Sequence, residues 1–288
     1  MSEQESSELA LWIHSLIDDF LHQPSENAMW PGSTEKAWGD PIIGFSRGSD
    51  PLYETFKEHI GAMHWTPGEI FRKAFPDRPA DPDDLTVISW ILPKTFATKT
   101  DNRKETVYPS ERWARARTFG EEINIKLRKH VVSLLQDAGF DAVAPVLFPE
   151  WSWQTSPVYG FASNWSERHA AFVSGLGTFG LCDGLITPVG KAMRTGSLVA
   201  RMSVPSTPRP YSSHTEYCLY HSNGACKKCI SRCPVGAITE AGHDKMKCFE
   251  HVFNTAIPYI KSHYGFDGYS CGLCQTGVPC ESGIPGKK

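Results

Sequence analysis

The first 181 residues contain no cysteine, and all nine cysteines of this 288-residue chain fall between Cys182 and Cys280. No stretch approaches the roughly 18 apolar residues that a helical membrane span requires, so no membrane partner is expected. The amino terminus, MSEQESSELALWIHSLIDDF, has no basic leader, no unbroken apolar segment and no twin arginine, and a cytoplasmic protein is expected. Neither sign of charge dominates. With 29 Lys and Arg against 32 Asp and Glu, the net charge of −3 provides no global basic field for nucleic acid. No repeat of fixed period is present. What remains is ordinary globular composition, 40% hydrophobic and 21% charged, enough for one large domain or a large and a small one. In a reducing compartment clustered thiols point to metal or redox work rather than to disulfides.

Before the cysteines, the pattern alternates helix and strand. Leu9, Trp12, Ile13, Leu16, Ile17 and Phe20 recur at helical spacing. Residues 24–83 show no sustained period, with short helices expected around 52–62 and 67–74. LTVISWIL (85–92) reads as a buried strand, 110–138 as the longest helix with Gly139 as its left-handed cap, and DAVAPVLF (141–148) as a second strand. Residues 166–174 read as a helix, with strands at 184–187 and 197–204. The expected fold class is α/β, helices covering a sheet over residues 1–210, with the proline-rich stretch 203–211 leading into a separate cysteine module at 211–288.

The cysteine string runs Cys218, then Cys226-x2-Cys229-x3-Cys233-Pro234, Cys248, Cys271-x2-Cys274 and Cys280. In two-cluster ferredoxins a C-x2-C-x2-C-x3-C-P run holds [4Fe–4S] clusters, and its last cysteine crosses to the other cluster. Here the first member is displaced upstream to Cys218. The crossover rule assigns Cys218, Cys226, Cys229 and Cys280 to one cluster, and Cys233, Cys248, Cys271 and Cys274 to the other. The competing reading is two structural zinc sites, although these usually pair C-x2-C knuckles across a longer gap. The ninth cysteine, Cys182, reads either as a small buried hydrophobe or as a cofactor contact.

Residues 175–180, GLGTFG, spell G-x-G-x-x-G through Gly175, Gly177 and Gly180. A dinucleotide fingerprint needs a strand before it, a helix after it and an acid about 20 residues on. Here a helix precedes, a strand follows, and no Asp or Glu occurs between Asp183 and Glu216. That leaves a plain tight turn or a turn packed against a bulky cofactor.

The order of these features resembles the epoxyqueuosine reductases: ERWARARTFGEEINIKLRKHVVSLL, the Ser166-Glu167-Arg168 helix start, the GLG loop, Gly196-Ser197-Leu198, and then the cysteine spacing. That family shares a corrinoid-binding architecture with the reductive dehalogenases, and the resemblance covers roughly residues 85–284. It implies an α+β, nitroreductase-like domain that binds cobalamin, with Gly175, Gly177, Gly180, Cys182 and Ser197 at the cofactor. It also implies a ferredoxin-like module with two [4Fe–4S] clusters feeding the cobalt, and a ferredoxin or flavodoxin as electron donor.

The chain departs from the pattern at three points. The family's catalytic aspartate position, six residues before the helix glutamate, is Phe161. Leu181-Cys182 stands where those reductases usually have Lys-Asn, and no helical-repeat domain of the tRNA-acting members follows Cys280. These departures argue against tRNA as the partner and for a small-molecule substrate. Tyr159, Lys191 and Arg194 are the replacement candidates for proton supply or substrate contact. Their competing reading is a half-buried aromatic and two solvated loop cations, and for Glu167 a favourable charge at its helix start. The expected activity is a cobalamin-dependent iron–sulfur reductase. The alternatives are a reductive dehalogenase-like enzyme and a non-catalytic electron carrier.

Overall fold

The computed structural model describes residues 3–286. Its centre is strand β2 (Leu85–Pro93), buried at all nine positions, as its continuous apolar run requires. Side chains alternate across it. Ile88, Trp90 and Leu92 enter one core, and Leu85, Val87 and Ile91 enter the other. The first core is closed by α1 (Glu3–His22) and the 27-residue α5 (Glu111–Asp137), through Ile13, Ile17 and Phe20 against Leu127 and Val131. The second is closed by α2 (Leu52–His59), α3 (Pro67–Ala74) and α6 (Glu167–Val173). Helices therefore cover both faces of the sheet.

The sheet order is β1-β2-β8-β3, with β1 at Ile42–Arg47, β3 at Ala142–Val143 and β8 at Met193–Arg201. Every pairing is antiparallel. β2 and β3 run parallel to each other but do not touch, because β8 lies between them and pairs with β2 over nine residues. The strand–helix–strand order thus builds a mixed α/β fold of the α+β kind, without adjacent parallel strands. β1, not expected from sequence, is carried by its pairing with β2 from Ile42↔Ile91 to Arg47↔Thr86. The expected strand at 141–148 shrinks to two residues, because Pro145 cannot donate to a ladder and opens a 3-10 turn instead.

The long helix follows its caps. The Ser110 side chain accepts from Trp113 N, and Gly139 leaves the helix at φ 90°. A short helix, α4 (Phe96–Lys104), precedes it. The strand expected at 184–187 is β7 (Leu185–Ile186), paired in a hairpin with β6 (Thr178–Phe179), and a further hairpin, β4 (Trp153–Ser156) with β5 (Gly160–Ser163), has no counterpart among the expected strands.

The cysteine module is assembled from shorter pieces. These are α7 (Leu219–Asn223), α8 (Lys228–Arg232), the hairpin β9 (Ile238–Thr239) and β10 (Gly242–His243), α9 (Lys245–His251), a π turn (Val252–Ala256) and α10 (Ile257–Tyr264). Arg232 fastens it to α4, donating to the carbonyls of Asn102 (3.0 Å), Glu105 (2.8 Å), Leu273 (3.1 Å) and Thr276 (2.9 Å).

Candidate functional site

The C-x2-C turns and the tail bring the cysteines into one region. Cys218, Cys226, Cys229 and Cys280 line a single small cavity, together with Gly180, Leu181, Ile186 and Lys191. Cys233, Cys248 and Cys271 gather apart from it. The Cys271 thiol is pushed up to about 11 by burial and by the nearby Cys248 and Cys233 sulfurs. Cys233 Sγ accepts from Ala237 N at 3.2 Å. Cys274 lies between Cys271 and Cys182. Among the described residues, no three His, Cys, Asp or Glu side chains converge on one point as a single ion requires.

Cys182 is not an isolated buried hydrophobe. Its thiol contacts Cys229 of one set and Cys274 of the other, and Lys191 Nζ donates to its sulfur at 3.2 Å. Those contacts, with the Lys191 charge, hold its pKa far below the usual thiol range. Lys191 is 3% exposed, placed among thiols and not in a solvated loop. Burial alone would depress it, but the Cys182, Cys280, Cys274 and Cys229 sulfurs outweigh that and raise its pKa.

The glycine loop serves the chain itself. A Cβ at Gly175 would overlap the Pro208 carbonyl, one at Gly177 the Ile186 carbonyl, and one at Gly180 would crowd the Ile186 side chain. The loop is therefore a close-packed turn. Ser197 is fully buried, accepting from Trp165 Nε1 at 3.0 Å and donating to Glu167. Gly180 reaches the cysteine-lined cavity, whereas Ser197 is closed off by these partners. Gly196 beside it is required because the Trp90 indole lies across that position.

Glu167 opens α6, but its carboxylate turns inward. Arg128, 1% exposed, bridges it (3.0 Å) to Glu121 (3.2 Å) and donates to Thr195 O. Burial raises the Glu167 pKa despite Arg128 and Ser197. Glu121 is held low, its burial outweighed by Arg194, Arg128 and Arg117. Arg194 pairs with Glu121, and the buried Lys94 sits over the Trp38 and Trp113 rings, at 4.5 and 4.7 Å. Sequence reasoning passed over this network. Its signal was the run Arg117, Glu121, Asn124, Arg128 at helical steps along α5, a polar stripe on a helix whose neighbouring stripe is apolar.

An open aromatic face is shared by the β4–β5 hairpin and the cysteine module. Trp153 meets Phe161 (5.5 Å), Phe161 meets Phe249 (6.0 Å), Phe249 stacks on Phe253 (4.0 Å), and Phe253 leads to Tyr269 (6.4 Å). Arg117 covers Tyr269 at 4.3 Å, and Lys245 covers the half-exposed Tyr159 at 4.4 Å. The Tyr159 hydroxyl is raised by burial and by the Asp183 charge. Phe161 sits in the middle of the row. Trp153, Phe249, Phe253 and Tyr269 are all more than a third exposed, a contiguous apolar patch of the kind that marks an interaction surface.

No protein-family model matches the chain. In sequence it is 29% identical over 125 residues to an epoxyqueuosine reductase of Bacillus anthracis, a match covering 41% of this chain and 30% of the relative. The epoxyqueuosine reductase of Bacillus cereus matches over the same length. The chain thus aligns with less than a third of these curated relatives. In structure it superposes on the catabolic reductive dehalogenase NpRdhA, solved with 3-bromo-4-hydroxybenzoic acid, with a TM-score of 0.52, 15% identity, and coverage of 96% of this chain and 38% of that one. A second reductive dehalogenase, described for B12-dependent dehalogenation, gives a TM-score of 0.51 at 16% identity, over 85% of this chain and 30% of that one. Over part of its length the chain is similar in sequence to epoxyqueuosine reductases, and its fold is similar to that of the reductive dehalogenases.

Proposed function

We propose that the chain is an oxidoreductase of this corrinoid iron–sulfur group, with two [4Fe–4S] clusters in a ferredoxin-like module and a cobalamin against the aromatic face. The observation that carries the reading is the arrangement of Cys218, Cys226, Cys229 and Cys280 around one cavity while Cys233, Cys248 and Cys271 gather apart from it. Thiols ringing a cavity suit a cluster of several irons better than a zinc ion, which draws four sulfurs to about 2.3 Å from one point. When bound, the clusters and corrinoid would supply low-potential electrons and a cobalt centre.

The residues of this chain would do the rest. The aromatic row from Trp153 to Tyr269 offers an apolar bed, and Arg117 and Lys245 give it positive rims for an anionic group. The Tyr159 hydroxyl is the group placed to hand over a proton there. Phe161 carries no proton to give, which favours a small molecule over the tRNA nucleoside. An electron donor of the ferredoxin or flavodoxin class completes the proposal. Reductive dehalogenation is the second reading, favoured by the shared fold with NpRdhA over 96% of this chain.

The test is anaerobic purification followed by reconstitution with cobalamin. About eight irons per chain and a shift in the corrinoid spectrum are expected. Colourless, zinc-loaded protein, or an unaltered corrinoid spectrum, would sink the reading. Halide release from halogenated aromatics, set against conversion of epoxyqueuosine, separates the two activities.

A further inference from the structure

Lys191 was a candidate for the substrate site, but its side chain points the other way. The loop 188–192 between β7 and β8 is registered against the tail of the cysteine module. Lys191 N donates to Cys280 O at 2.9 Å, and Ala192 N to Glu281 O at 3.2 Å. Gly190 approaches the Glu281 backbone so closely that no side chain would fit. Glu281 is itself held by Arg103 and by Gly277 N at 2.7 Å. This clamp fixes where the Lys191 side chain goes. It lines the cavity of Cys218, Cys226, Cys229 and Cys280 and ends on Cys182, whose sulfur touches both cysteine sets.

A lysine this deeply buried is costly unless negative charge surrounds it. Four-thiolate clusters carry such charge, and it grows when they accept an electron. A fixed cation beside a cluster stabilises the reduced form more than the oxidised form, so it raises the reduction potential. We propose that the Lys191 ammonium tunes the cluster held by Cys218, Cys226, Cys229 and Cys280, raising its potential. Cys182 is then a ninth thiol that seats the lysine and binds no iron. The inference rests on the two-cluster reading and deepens it. It makes Lys191 a positioning residue for electrons, remote from the substrate.

The experiment is a dithionite titration of anaerobically purified full-length protein followed by electron paramagnetic resonance, comparing wild type with Lys191→Met, Lys191→Arg and Cys182→Ala. Expected are unchanged iron content in all four and a lower midpoint for one of two signals in Lys191→Met, with the other moving less. Lys191→Arg should restore most of the difference. Equal midpoints in wild type and Lys191→Met overturn the proposal. So does loss of iron from Lys191→Met alone, which would make the lysine an assembly residue. Loss of about half the iron from Cys182→Ala would make Cys182 a ligand and overturn its assigned part. Wild-type protein without iron would instead overturn the two-cluster reading, so the two failures are distinguishable.

Discussion

The two halves of the chain are held together by different physics. In the first, β2 is sandwiched between two helical layers, and its cores are built from Ile, Leu, Val, Phe and Trp with almost no exposure. In the second, α7 and α8 are five residues each and the strands two, and only the continuous helical run through α9, the π turn and α10 is longer. The core cluster that it shares with residues 181–186 has nine buried members, four of them cysteines: Cys182, Cys218, Cys229 and Cys280. Helices that short are not stable by propensity, and a core half made of thiols buries little apolar area. The first half is a conventional hydrophobic fold, whereas on the proposed two-cluster reading the second needs its clusters to be one.

The largest effect should therefore come from removing iron. Chelation under oxidising conditions should unfold residues 211–288 and leave the sheet half folded, so that far-ultraviolet circular dichroism falls only in part and a second thermal transition survives. A double replacement, Cys226→Ser with Cys229→Ser, should cost about half the iron and lower the first transition alone. One cooperative transition for both halves, iron or no iron, would break the comparison.

Next in size is Arg128, a buried guanidinium bridging two carboxylates, Glu121 and Glu167. Arg128→Met leaves Glu167 buried without its cation, while Glu121 keeps Arg194. Removing one partner of a buried ionic network typically costs about 3–5 kcal/mol. The loss should appear in the transition of the sheet half, with iron content unaffected. A change under about 1 kcal/mol would mean that water already reaches the network.

How much of this was legible in the sequence differs between the same two regions. The strand at 85–92 and the helix at 110–138 were readable because one apolar run and one pair of caps are local signals. β1 was not, because IIGFSR has no pattern of its own and becomes a strand only by pairing with β2. In the cysteine module, spacing alone divided the eight thiols into two sets. Nothing in GLCDGL or GKAMRTG indicated that Cys182 and Lys191 meet, since that contact depends on the loop 188–192 docking against Cys280. Tyr159 and Phe161 were singled out from sequence, but the aromatic face around them was not, because Trp153, Phe249 and Tyr269 come from three distant segments.

The smallest effect is on pH dependence, and it should be confined to the sheet half. His64 is packed between Phe56 and Trp165, and its pKa is lowered to about 4, chiefly by burial and further by the Lys57 charge. The native ring is thus neutral, while the unfolded ring takes a proton below its ordinary value of about 6.5. Stability from this group is complete above pH 6.5 and is lost as pH falls from there towards 4, by up to about 3 kcal/mol. His169, 6.0 Å away and also depressed, chiefly by burial, should steepen the same window. His64→Phe keeps an aromatic ring against the same neighbours and removes the titration. Urea midpoints of the sheet-half transition, measured for both proteins between pH 4 and 7, should converge as pH rises and separate as it falls, with the variant the less acid-sensitive. Parallel profiles would mean that His64 is protonated in the folded state, and that the second core is wetter than its packing implies.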